Sequence, residues 1–215
     1  QQSQEALIAM RNIYVGLDRV DEYMALTRNL GFANVSTAQQ DSLTYKAAEN
    51  RYMQGDCANA SRSFSNYLQQ FPNGIFSINA HFYLAECDFR RNAYDEALRG
   101  YRFVISKPRS MFTENALSRA AHIEFRANNH QEAYSLYTRL EESAEIRENL
   151  AEARTGQMRS LFRMQRYQDA IAAARRLLTT DRITPDLNQE AQLTIGRSSI
   201  QINDLQAASL AIERV

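Results

Sequence analysis

Residues 83–101 read YLAECDFRRNAYDEALRGY, and the order of side chains in this stretch decides the fold. Ala97 and Tyr101 are four apart, so they share one face of a helix that opens near Tyr94. Asn92 interrupts the run between Tyr83-Leu84-Ala85 and that helix, and Asn readily takes the left-handed conformation that ends helices. The stretch predicts a helix, a tight turn and a second helix, with Ala85 set opposite Ala97.

The pattern recurs along the whole chain. Tyr23, Ala60, Ala97, Ala133, Ala170 and Ala208 stand at intervals of 36 to 38 residues, and a fixed period of this size signals stacked supersecondary units. Three residues before them come Val20, Cys57, Tyr94, His130, Tyr167 and Leu205; four residues after the first four come Thr27, Phe64, Tyr101 and Tyr137. Small residues allow close helix approach, so Ala48 should face Ala60 and Ala121 should face Ala133. Breakers agree with this division. Gly55-Asp56, Asn92, Asn128-Asn129 and Asn203-Asp204 fall inside the units, while Pro72, Pro108 and Pro185 fall at junctions between them. With 7 Gly and 3 Pro in 215 residues and 44% apolar content, the composition favours long helices and a sizeable core.

In order, Tyr83-Leu84-Ala85, Asn92, Tyr94, Asp95-Glu96-Ala97-Leu98 and Tyr101 resemble the helix-turn-helix motif of the tetratricopeptide repeat family. The first unit departs from it with Tyr23 at the small position, and the fifth with Met158 and Ala174. The period also exceeds the usual 34 residues. The resemblance implies an all-α, right-handed α-α superhelix of about six hairpins in a single solenoid over 1–215, with repeats near 4–38, 41–75, 78–111, 114–147, 151–186 and 189–215. The stretch from Phe64 to Cys87, with Phe71-Pro72-Asn73-Gly74, looks like bacterial envelope members of the family. These include outer-membrane-assembly lipoproteins, the periplasmic Tol-Pal coordinator and large Bacteroidetes repeat proteins, which implies a periplasmic or outer-membrane-associated setting.

Charge and chemistry narrow the function. The 25 basic and 25 acidic side chains cancel, so no global field recruits nucleic acid or an anionic membrane. His81, His122 and His130 are scattered, and so are the glycines, so neither a metal site nor a phosphate loop is formed. No enzyme activity, cofactor or metal is therefore expected. There is no apolar run of spanning length, so direct membrane insertion is not expected. Cys57 and Cys87 fall at the same end of adjacent helices, which leaves a bridge open. The preferred reading makes both small buried hydrophobes, because Cys87 stands where Ala is usual.

What remains is a non-catalytic scaffold that binds a partner protein or peptide, with an acidic segment fitting best, in a concave groove lined by first helices. The alternatives are an RNA-binding helical repeat, disfavoured by neutral charge, and a structural subunit of a larger assembly. Leu205, Leu210, Ile212 and Val215, like Leu7, Ile8 and Ile13, leave apolar end faces; these predict end-to-end contacts or continuation into further repeats. Groove positions that hold Lys and Asn in chaperone-tail clamps carry Tyr45, Glu49, Phe82, Glu86, Ser118 and His122 here, so that mode is not expected.

The candidate groove residues are Tyr45, Tyr52, Phe82, Phe89, Arg90, His122, Phe125, Arg126, Arg159, Phe162, Arg163 and Arg197. Tyr52, Phe89, Phe125 and Phe162 are expected to form an aromatic ladder. The last three are each followed by an arginine, and one turn earlier the sign changes from Glu49 and Glu86 to His122, Arg159 and Arg197, so the C-terminal half of the groove should be basic and the N-terminal half mixed. Large residues at the ladder positions also fill space between successive first helices.

Overall fold

The computed structural model describes residues 2–30 and 35–215; residue 1 and residues 31–34, the latter within the expected first repeat, lie outside the described set. The described residues form twelve helices and no strand. They pair as α1 (Gln2–Gly16) with α2 (Val20–Asn29), α3 (Thr37–Met53) with α4 (Cys57–Gln70), and α5 (Ser77–Arg90) with α6 (Tyr94–Ile105). Then follow α7 (Thr113–Arg126) with α8 (His130–Ser143), α9 (Arg147–Arg163) with α10 (Tyr167–Leu178), and α11 (Pro185–Gln201) with α12 (Leu205–Ile212). The fold class is an all-α solenoid of helical hairpins. Contacts divide the chain into two units, 1–108 holding α1–α6 and 109–215 holding α7–α12.

The repeat positions explain this architecture residue by residue. Val20, Cys57, Tyr94, His130, Tyr167 and Leu205 are each the first residue of a second helix. The markers three residues later, from Tyr23 to Ala208, are all buried, and the four central alanines are fully so. Phe64, Tyr67 and Tyr101 are also fully buried, each removing enough apolar surface to contribute about 2–3 kcal/mol. Close approach is visible where α5 meets α6: a Cβ added at Gly100 would lie 2.8 Å from the Ala85 Cβ. Where α8 meets α9, the Tyr137 ring lies so close to Gly156 that no Cβ fits there.

The turn inside each hairpin is one device used six times. Asp18, Gly55, Asn92, Asn128, Gln165 and Asn203 all have φ between 58° and 79°, and each precedes its second helix by two residues. The next residue donates back into the first helix: Ala93 N–H to the Asp88 carbonyl at 2.9 Å, Arg166 N–H to Leu161 at 3.0 Å. These bonds satisfy carbonyls that a helix end would otherwise orphan. Helix starts are capped by Ser36, Asp56, Thr184 and Asp204, Ser36 forming a reciprocal capping box with Gln39. Pro185 is the first residue of α11, where its missing N–H costs nothing.

Junctions between hairpins are fastened by buried carboxylates. Asp41, in the first turns of α3, accepts the Tyr67 hydroxyl at 2.6 Å and the Ile75 N–H at 3.0 Å. Glu114, equivalent to it seven residues before Ala121, accepts the Glu145 N–H at 3.0 Å, the Asn149 amide at 2.8 Å and Arg109 at 3.1 Å. Each acid ties the start of a first helix to the chain entering the next hairpin of its own unit.

The cysteines correct the sequence reading. Cys57 and Cys87 form a disulfide with Cα atoms 5.3 Å apart, well inside the range a bridge requires. Stacking brings the start of α4 beside the end of α5, a proximity that makes the pair bond rather than simply pack. The bridge staples the second hairpin to the third.

Candidate functional site

The expected groove residues separate once burial is considered. Tyr45 and Phe82 are core side chains. Tyr45 is 3% exposed, stacks on Phe76 at 4.3 Å and donates to Glu49 at 2.8 Å. Phe82 is 7% exposed and packs edge-on against Tyr83 and Tyr101. Both are buried too deeply for a partner to reach, Tyr45 under the chain entering the next hairpin and Phe82 against its own hairpin.

Tyr52, Phe89, Phe125 and Phe162 occupy one structural position: the carbonyl of each accepts the N–H of the left-handed turn residue, at 2.9 to 3.1 Å. Their rings are half-buried. Phe89 packs on Tyr94 at 5.6 Å, Phe125 on His130 at 5.0 Å and Phe162 on Tyr167 at 5.9 Å. Each of the three thus folds over its own turn onto the first residue of the second helix. Tyr52 instead meets Tyr83 of the next first helix at 4.5 Å. Their immediate contacts close hairpins and fill the space between them.

The cations lie outside this packing. Within unit 1, Arg90 is exposed and sits 5.0 Å above the Tyr52 ring, donating to its hydroxyl at 3.0 Å. Within unit 2, His122 and Arg126 on α7, Arg159 and Arg163 on α9, and Arg197 on α11 are all exposed. Arg159 is held by Glu190 through two bonds of 2.6 Å, so its charge is already matched. Partial burial and then Arg126 push the His122 pKa below its ordinary value, with Arg119 and Arg159 adding to the effect against Glu152. Burial and then Arg163 do the same to His130. Burial is the larger cause in both, and the arginines add a positive potential as the second. His122 and Arg159 also line a recess of about 490 Å³ with Tyr137, Glu152 and Arg182.

Among the described residues, no group of three or more His, Cys, Asp or Glu side chains could hold a metal ion. None of the described helices is long and apolar enough to cross a membrane. The arrangement offers charged and aromatic contact surface.

Residues 41–74, which include most of α3 and all of α4, match the tetratricopeptide repeat family. No curated protein matches the chain. Among solved structures, it is similar to YrrB, a TPR protein with an unusual peptide-binding site, at 13% identity, covering 80% of this chain and 82% of that one, with a TM-score of 0.64. MamA from Desulfovibrio magneticus RS-1 is similar at 12% identity, over 84% of this chain and 94% of that one, with a TM-score of 0.58. The pilF protein of Pseudomonas aeruginosa is similar at 10% identity, over 98% and 89%, with a TM-score of 0.54. Residues 41–74 thus read as a tetratricopeptide repeat, and the chain shares the all-α helical-hairpin fold of these solved structures.

Proposed function

We propose that this chain is a non-catalytic scaffold that holds a partner protein or peptide on the face made by the first helices of unit 2, in the bacterial cell envelope. The observation that carries the reading is the set of exposed arginines on successive first helices, Arg126 on α7, Arg163 on α9 and Arg197 on α11, the first two each next to a turn-closing ring, Phe125 or Phe162. Arginine beside aromatic surface is the usual composition of binding hot spots. An acidic partner segment matches that potential. YrrB, with its peptide-binding site, offers a precedent for the fold being used in this way. The envelope setting is supported by the Cys57–Cys87 bridge, since disulfides persist in oxidising compartments.

The test is affinity capture from native envelope with the wild-type chain and with the double variant Arg126→Glu/Arg163→Glu. Helicity and melting should stay nearly unchanged while capture falls and association slows at low salt. Equal capture by the double variant would overturn the reading.

A second reading, a structural subunit of an assembly, is favoured by one feature. Leu205, Leu210 and Ile212 on α12 are 65%, 51% and 52% exposed, a run of apolar side chains of the kind that marks contact surfaces. Sedimentation showing a single monomeric species at all concentrations would remove it.

A further inference from the structure

Unit 1 carries a second surface whose chemistry differs from the first-helix face. A cleft of about 980 Å³ lies between α4 and α6, with α5 as its floor. Its walls are helical stripes: Cys57, Ala58, Ser61 and Ser65 on α4, with Glu96, Arg99, Gly100 and Phe103 on α6. The α5 floor runs from His81 to Arg91, a length of about 15 Å at 1.5 Å per residue. That is room for about four or five residues of extended chain. The floor and walls are mostly apolar: Leu84, Ala85, the disulfide, and the Phe103 ring stacked on His81 at 3.7 Å. Gly100 keeps the cleft shallow because α6 lies directly on Ala85 there.

The rim is unbalanced in charge. Arg62, Arg90, Arg91 and Arg99 line it against Asp88 and Glu96 only, an excess of cations in a chain whose total charge is zero. Arg91 pairs with Asp88 at 2.9 Å and Arg99 with Glu96 at 3.5 Å. Arg62 donates to the Asn59 side chain at 2.6 Å, and Arg90 to Tyr52 and the Cys57 sulfur. The hydrogen-bond partners of Arg62 and Arg90 are therefore neutral, and although the Arg62 charge also acts on the Asp56 carboxylate, both guanidinium groups keep donors for an incoming carboxylate.

We infer that this cleft docks a short acidic segment of a partner protein, apolar side chains on the α5 floor and carboxylates at Arg62 and Arg90. It is independent of the unit 2 face, so either surface can fail without the other.

The test measures fluorescence anisotropy of a labelled peptide of alternating Glu and Leu, with an alternating Lys and Leu peptide as control. Two variants interrogate the cleft. Arg62→Glu/Arg90→Glu reverses the two docking charges, and Ser61→Tyr fills the cleft without changing charge; circular dichroism melting checks that both stay folded. The acidic peptide should bind and the basic one should not. Each cleft variant should weaken binding by about tenfold or more, and Arg126→Glu/Arg163→Glu should leave it unchanged. The inference is overturned by no binding of the acidic peptide, by undiminished binding to the cleft variants, or by loss only in the Arg126/Arg163 variant. Competition by inorganic phosphate as strong as by unlabelled peptide would also overturn it, since the cleft would then be a simple anion site.

Discussion

At Gln165 the backbone takes φ of 60°, a conformation that costs an ordinary L-residue about 1–2 kcal/mol and glycine almost nothing. Gln165→Gly should therefore stabilise unit 2, raising its urea midpoint, whereas Gly55→Ala should lower that of unit 1. Four of the six turns were legible because their left-handed residue is Gly or Asn. Asp18 and Gln165 were not, because nothing in their propensity announces the turn; the fixed offset before Val20 and Tyr167 does. The small-residue positions were legible for the same physical reason that makes them sensitive. Ala97 is fully buried, and Ala97→Leu overpacks it, an insertion that typically costs about 1–3 kcal/mol; a melting curve identical to wild type would contradict the packing described.

At the scale of elements, the fastening of one hairpin to the next is the part that sequence hid. An acid early in a helix reads as a complement to the helix dipole, so Asp41 and Glu114 carried no signal of the backbone amides they accept. Burial pulls the Glu114 carboxyl up, but the hydrogen bonds from Asn149, Glu145 and Ile146, with Arg109 nearby, outweigh it and hold the pKa below the ordinary carboxylate value. A depressed folded pKa means that the contribution is complete above the unfolded value and is lost as pH falls through the folded one. Glu114→Gln should lower stability at neutral pH and lessen its decline below about pH 4.5, which denaturant titrations at pH 7 and in acid would measure. The disulfide was hidden differently: its two residues were placed at one end of adjacent helices, yet only the stacking distance decides bonding. Closing 30 residues of chain should contribute about 3–4 kcal/mol. Non-reduced protein should show no alkylatable thiol, and reduction should lower the melting temperature of unit 1.

For the molecule as a whole, periodicity revealed the class of fold but left the binding surface half-read. The aromatic positions recur because the hairpins must close, and Tyr45 and Phe82 vanish into the core because the rings packed against them, Phe76 and Tyr101, are distant in sequence. The arginines were legible as a repeating set, but the match between Arg159 and Glu190 joins α9 to α11 and has no local trace in sequence. The central claim, that a partner protein rests on the first helices of unit 2, is tested most directly by site-specific photo-crosslinking in the native envelope. A photoreactive side chain placed at Arg126 or at Arg163 should give a discrete adduct with one partner, while the same group at the exposed Arg175 of α10 should give none. Adducts from Arg175 alone, with none from Arg126 or Arg163, would contradict it.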